Sequence, residues 1–442
     1  MKTMKNKRQW LLAAWCVAAS FHAVAYDWNT DLRHRLLCDF TRTRQETMDY
    51  IRQYIPHVND SCMAHWERSG ALEQMTIDGE KRYFHAAARN LFRIDPWCAQ
   101  VWQKAHPEEP LSASQIAIMK NVPQILRDAP GHPQHLAQAR RMRVTYTLTV
   151  KADAVPAGQT LRCWLPFPRT DQPRQQDVEL LEVSQPRYKR SSASCAHSTI
   201  YMEQKAVAGK PTVFSETFEY TSRGAWFDLS AVQPYQTRSK LYKEYTAERD
   251  RHIRFTPELC QLADSLTRGV DNPVEKAQRI FTYISRHFPW ASAREYSTID
   301  NIPMYVLRNR HGDCGQVSLL FITLCRICGI PAHFQSGFMM HPFGHNLHDW
   351  AEVYFEGVGW VPVDQSFGIC EYATSQAERL FYMGGIDSWR MIVNTDYGMP
   401  LSPKKKYPRS ETVDFQRGEV EWKKGNLYFD QWDWDIQIAY LD

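Results

Sequence analysis

Three short blocks constrain this chain more than anything else in it: Gly312-Asp313-Cys314-Gly315-Gln316, His348-Asp349-Trp350-Ala351-Glu352-Val353-Tyr354, and Gly359-Trp360-Val361-Pro362-Val363-Asp364. Behind the first block, Val317, Leu320, Phe321, Leu324 and Ile327 recur at helical spacing, which predicts a helix that starts at Cys314 and buries one face. Gly329 and Pro331 end that helix, and 333–339 reads as a short strand. The second block alternates as a strand, Glu356-Gly357-Val358-Gly359 turns it, and the third block returns antiparallel. His348 at the start of one strand and Asp364 at the end of its partner are therefore neighbours.

The residue types at those positions have a chemistry. In the first turn of a helix, free backbone N–H groups and the dipole favour an anion, so Cys314 is placed to become a thiolate. A carboxylate at Asp364 accepts the ring N–H of His348 and fixes its tautomer, leaving the other nitrogen to face Cys314. A thiolate–imidazolium pair that attacks a carbonyl is the expected outcome. The backbone N–H of Cys314 and the indole N–H of Trp290 are candidate donors to the resulting oxyanion. A zinc site from His341, His345, His348 and Asp349 is the competing reading, but Pro342 and Gly344 break any helix that would align these ligands. No metal or cofactor is expected. Cys325 and Cys328 lie at the wrong end of their helix for a redox pair and read as core thiols.

These blocks resemble the transglutaminase-like superfamily, whose papain-related core carries a Cys on a helix and a His and an Asp on the following strands. The resemblance runs from about Thr256 through Pro273-Val-Glu-Lys-Ala-Gln-Arg-Ile-Phe, Cys314, Arg326, Gly329-Ile-Pro-Ala, His348 and Asp364, and on towards Trp389-Arg390. It implies Cys314 as nucleophile, His348 as base and Asp364 as orienting acid. The chain departs from the family pattern at Asp349, where a small or apolar residue is usual, at Gln365, where Pro is common, and at His333, where Arg is common.

Lys2, Lys5, Lys7 and Arg8 precede an apolar stretch from Trp10 to Phe21 and then Ala23-Val24-Ala25, which predicts a signal peptide over 1–25 cleaved before Tyr26. The expected product is exported, periplasmic or secreted, and is not inserted in a membrane. The 53 basic residues exceed the 49 acidic ones by four, the number lost with that leader, so the remainder is formally neutral. A neutral surface argues against nucleic acid as a partner, and Lys404-Lys405-Lys406 reads as a solvated loop. In an oxidising compartment a Cys163–Cys195 bridge and pairs among Cys38, Cys62 and Cys98 are plausible, as are buried thiols at the same positions.

The fold class expected is α+β, with an α-helical region over 26–140, a β-sandwich over 141–230 and a catalytic core over 231–442 that includes the aromatic tail. Arg143–Val150, Leu161–Pro168 and Thr212–Tyr220 supply the strands of the sandwich. Its expected role is to shape or cover the substrate cleft, with carbohydrate binding as an alternative. The expected activity is an exported cysteine hydrolase of peptide, protein or cell-wall peptide substrates, because His341, His345, Asn346 and Asp349 bring hydrated groups near the acyl-enzyme. Cross-linking by a protein-glutamine gamma-glutamyltransferase, with lysine as acceptor, and a non-catalytic binding module are the alternatives.

Overall fold

The computed structural model describes residues 26–107, 111–342 and 344–441; the predicted leader, 1–25, lies outside them. Six helices, from Trp28–Asp39 to Ala113–Asp128, make up most of the N-terminal region. Their starts follow from capping chemistry: Thr43 and Ser112 form capping boxes with Glu46 and Gln115, and Asn59 and Asp95 accept N–H groups from the first turn. The sequence suggested no strand here, but Gln74–Ile77 and Glu80–Tyr83 form an antiparallel hairpin around Asp78 and Gly79, both at positive φ. Phe40, Ile51, Trp66, Tyr83 and Leu91 centre a separate apolar core.

Two five-stranded sheets form the β region. In one, Leu136–Val150 lies between Thr212–Trp226 and Trp432–Tyr440, antiparallel to both. In the other, Thr160–Pro166 lies between Thr199–Lys205 and Glu419–Trp422. Tyr146, Leu148, Leu165, Met202, Phe218 and Val420 fill the space between them, which makes this a β-sandwich. One expectation is corrected: the aromatic tail does not join the catalytic core but supplies strands to both sheets of the sandwich. The reason is alternation, since Trp432 and Ile436 on one face of the last strand bury against the sandwich core while Asp433, Asp435 and Gln437 face outward.

All ten cysteines of the described residues are free thiols. The suggested Cys163–Cys195 bridge and the pairs among Cys38, Cys62 and Cys98 are absent, and Cys163 is instead an apolar core residue of the sandwich.

The third unit places the helix Cys314–Ile327 against an antiparallel sheet ordered Gly359–Val363, Asn346–Phe355, Ala332–Met339, Arg390–Asn394. The predicted hairpin is present, with Ala351 opposite Val363. The helix is more enclosed than its periodicity suggested. Every residue from Gly315 to Arg326 is buried, because Pro257–Thr267, Pro273–His287 and Ile302–Asn309 cover the faces that the sheet leaves open. No described helix is long and apolar enough to cross a membrane.

Candidate active site

Cys314 is the first residue of its helix. Asp313 caps it, accepting the backbone N–H of Gln316 at 3.1 Å, and Gln316 returns its side-chain oxygen to the Asp313 N–H. The loop that delivers this cap is held by a parallel bridge between Trp290 and Gly312. Thus the cysteine, the capping acid and Trp290 are fixed by one short stretch of backbone.

His348 donates from Nε2 to Asp364 Oδ2 at 2.7 Å, both side chains being buried. The other oxygen of Asp364 accepts the backbone N–H groups of Ser366 and Phe367, each at 3.1 Å. Arg390 adds Nη1 to Asp364 Oδ2 at 2.8 Å, while its Nε and Nη2 reach Asp387 Oδ2, and Asp387 Oδ1 meets His341 Nε2 at 2.8 Å. Burial alone would raise Asp364, but His348 and Arg390 outweigh it and hold the carboxyl below its usual range. An ionised Asp364 requires a proton on Nε2 of His348, so Nδ1 carries the lone pair. Burial keeps His348 below its ordinary pKa, despite Asp364. The ring is therefore a neutral base in a fixed tautomer.

The thiol takes a different partner. Cys314 Sγ donates to Asp349 Oδ2 at 3.3 Å, and no hydrogen bond joins it to His348 among the described residues. Burial pushes the thiol well up, and the Asp349 and Asp313 carboxyls push the same way. A helix N-terminus contributes only about half a positive charge, too little to overcome two buried carboxyls. These shifts favour a neutral thiol beside a neutral imidazole over the expected ion pair.

Strand geometry explains this arrangement. Successive strand residues point to opposite faces, so His348 and Asp349 flank Cys314 from two sides and each lines a different cavity. The larger, about 540 Å³, is mostly apolar and includes Cys314, His348, Trp290, Phe367, Ile369 and Tyr382. The smaller, about 190 Å³, joins Cys314 and Asp349 to Glu295, Glu411, Asp414 and Arg417. Gln416 ties the two sides together, donating from Nε2 to the Asp349 carboxylate at 2.9 Å and to the His348 carbonyl at 3.0 Å.

Trp290 lies in the wall of the larger cavity with Cys314, 43 % exposed, and its indole N–H has no partner among the described residues. The β-sandwich strands over 141–230 line neither cavity; the helix Ala113–Asp128 and its approach do, through Leu111, Gln115, Ile118 and Met119. Of the hydrated loop groups expected near the thiol, His345 and Asn346 are exposed, but His341 is buried on Asp387. The competing zinc ligands do not converge: among the described residues only His34, Cys38 and Asp430 bring three donor atoms within 4.8 Å of one another, and they lie outside both cavities. At the other departures from the family pattern, His333 meets Glu352 at 3.2 Å and the buried Gln365 amide has no partner among the described residues.

Residues 260–365 match the model of the transglutaminase-like superfamily, a span that contains Cys314, His348 and Asp364. Over 166 residues the chain is 27% identical to the uncharacterized protein YebA of Bacillus subtilis (strain 168), an alignment that covers 32% of this chain and 22% of YebA. Among solved structures, it is similar to a candidate cysteine protease of Cytophaga hutchinsonii, with TM-score 0.46 and 16% identity over 70% of this chain and 92% of that one. It is also similar to the periplasmic domain of TgpA from Pseudomonas aeruginosa, with TM-score 0.29 and 15% identity over 56% and 91%.

Proposed function

From this transglutaminase-like core at residues 260–365, we propose that the protein is a thiol-dependent hydrolase of peptide or amide bonds, exported by way of the leader at 1–25. The observation that carries the reading is that Cys314, at the first position of its helix, and His348, locked by Asp364, line the same cavity. In the reaction, His348 Nδ1 takes the thiol proton as Sγ attacks the substrate carbonyl. The C–N bond then breaks, the amine leaves with that proton, and a thioester remains on Cys314. Water, deprotonated by the same nitrogen, hydrolyses the thioester and restores the thiol. The Cys314 backbone N–H and the unpartnered indole of Trp290 serve the oxyanion. Asp364 positions the ring, and Arg390 keeps Asp364 ionised.

Water is favoured as the acceptor because the cavity opens to solvent beside exposed Trp290, Asn346 and Tyr372, whereas efficient cross-linking calls for a closed apolar passage. Peptides, including cell-wall peptides, are the proposed substrates. The test is hydrolysis of peptide libraries in ¹⁸O-water with a labelled primary amine in excess. Incorporation of ¹⁸O into the new carboxylate is the expected result; predominant incorporation of the amine would assign cross-linking instead.

A further inference from the structure

We infer that the smaller cavity beside Cys314 is a subsite for a primary ammonium group carried by the substrate close to the scissile carbonyl. This rests on the hydrolase reading above and adds the class of substrate to it.

The cavity wall carries five carboxyl groups, Glu295, Asp313, Asp349, Glu411 and Asp414, against two guanidinium groups, Arg294 and Arg417. Both cations are already engaged. Arg417 reaches Glu295 through Nη1 and Nη2, each at 2.8 Å, and Glu411 through Nε at 2.7 Å, while Arg294 lies 3.5 Å from Glu73 outside the cavity. Asp313 is used by the helix cap and by the Tyr296 hydroxyl, at 2.5 Å. Among the described residues Asp349 accepts only the thiol and an amide of Gln416.

Asp414 is the observation that points to a ligand. Its side chain is 93 % buried, being 7 % exposed, it lines the cavity, and it accepts no hydrogen bond among the described residues. Burying a carboxyl without a partner costs several kcal/mol unless a proton or a cation compensates. Burial and the neighbouring Glu411 and Asp349 push Asp414 well above its usual range, the direction that a bound cation would reverse.

The compensating cation is an organic one. The carboxylate oxygens here do not come within 4.8 Å of one another in any group of three, as a divalent metal would require. An ammonium, with three donors on a short stem, reaches spaced acceptors. At about 190 Å³ the cavity has room for the ammonium and little more than one residue, so the charge lies next to the bond that Cys314 attacks. Two sources share this chemistry: the free N-terminus of a short peptide, and a lysine-like side chain beside the cleavage point.

The test uses the full-length protein and a neutral acyl donor, N-acetyl-phenylalanine p-nitrophenyl ester, with alaninamide as the ammonium probe and N-acetyl-alaninamide as the uncharged control. Alaninamide is expected to inhibit by raising KM at least about tenfold more effectively than the control, as a charge-assisted hydrogen bond warrants. Asp414→Asn is expected to erase that difference. Equal inhibition by both amides, or the same preference in Asp414→Asn, overturns the subsite while leaving the hydrolase reading intact. Formation of N-acetyl-phenylalanyl-alaninamide overturns the reading instead, because the cavity would then receive the acceptor amine. Crystals of Cys314→Ala soaked in alaninamide give an answer that needs no turnover: nitrogen density against Asp414 supports the subsite, and an empty cavity contradicts it. Peptides acetylated at the N-terminus, with and without a single lysine, then distinguish the two sources of the ammonium.

Discussion

Cys314 Sγ donates a hydrogen bond to Asp349 Oδ2 across 3.3 Å, while His348, which precedes Asp349 on its strand, is turned to Asp364. The Cys314 thiol is therefore favoured in its neutral form by burial and by the carboxyl that follows His348 in sequence. Asp349→Asn removes that carboxyl group and keeps an oxygen for the hydrogen bond of Gln416. The pH midpoint for alkylation of Cys314 by iodoacetamide is expected to fall by roughly one unit, and an unmoved midpoint would mean that Asp349 does not control the thiol.

Arg390 is fully buried between Asp364 and Asp387. Its loss leaves two uncompensated carboxyl groups in the interior, one of them the partner of His348. Arg390→Met should lower stability by about 3–5 kcal/mol, read as a shift in the denaturant midpoint, with activity lost in whatever remains folded. A midpoint within experimental error of the parent would show that the acids are neutralised in another way.

Burial lowers His348 from its ordinary value near 6.5, despite Asp364. In the proposed role of base His348 works unprotonated, so kcat/KM is expected to rise with pH through a midpoint below 6.5 and to hold across neutral pH. Protonation of the ring on the acid side removes activity, which fixes the sign of that limb. An acid limb centred above pH 7 would contradict a neutral imidazole at rest.

Gly315 follows Cys314 for a steric reason. A Cβ there would lie 2.4 Å from the Tyr296 hydroxyl and 2.7 Å from Asp349 Oδ2. Gly315→Ala should leave the fold intact, as judged by circular dichroism, and cut kcat/KM by about 100-fold through displacement of the thiol and its partner. Unchanged kinetics would mean that Tyr296 and Asp349 move aside freely.

Cys314, His348 and Asp364 were legible because each sits in a local pattern: a helix start, a strand start and a strand end, joined by one tight turn. The thiol's actual partner was not. Asp349 was noticed as a departure from the family pattern, but strand alternation makes one residue face the apolar cavity and the next the acidic one, and only the fold says which groups wait there. Asp414 and Gln416 come from a stretch with no periodicity, between 397 and 418, so nothing local marked them. The place of the tail is hidden for a related reason, since Trp432–Tyr440 pairs with Leu136–Val150, about two-thirds of the chain length away. Long-range antiparallel pairing leaves no trace in hydrophobic spacing, whereas the two long alternating strands of the sandwich were plain from alternation alone.

The central claim is that acyl transfer passes through a thioester on Cys314, with His348 as base. It is tested most directly by quenching the protein during turnover of N-acetyl-phenylalanine p-nitrophenyl ester and mapping the adduct by mass spectrometry. The account predicts an acyl group on Cys314 and on no other cysteine, its formation slowed by orders of magnitude in His348→Ala and abolished in Cys314→Ala. Turnover that persists in Cys314→Ala, or an adduct confined to another residue, would contradict it.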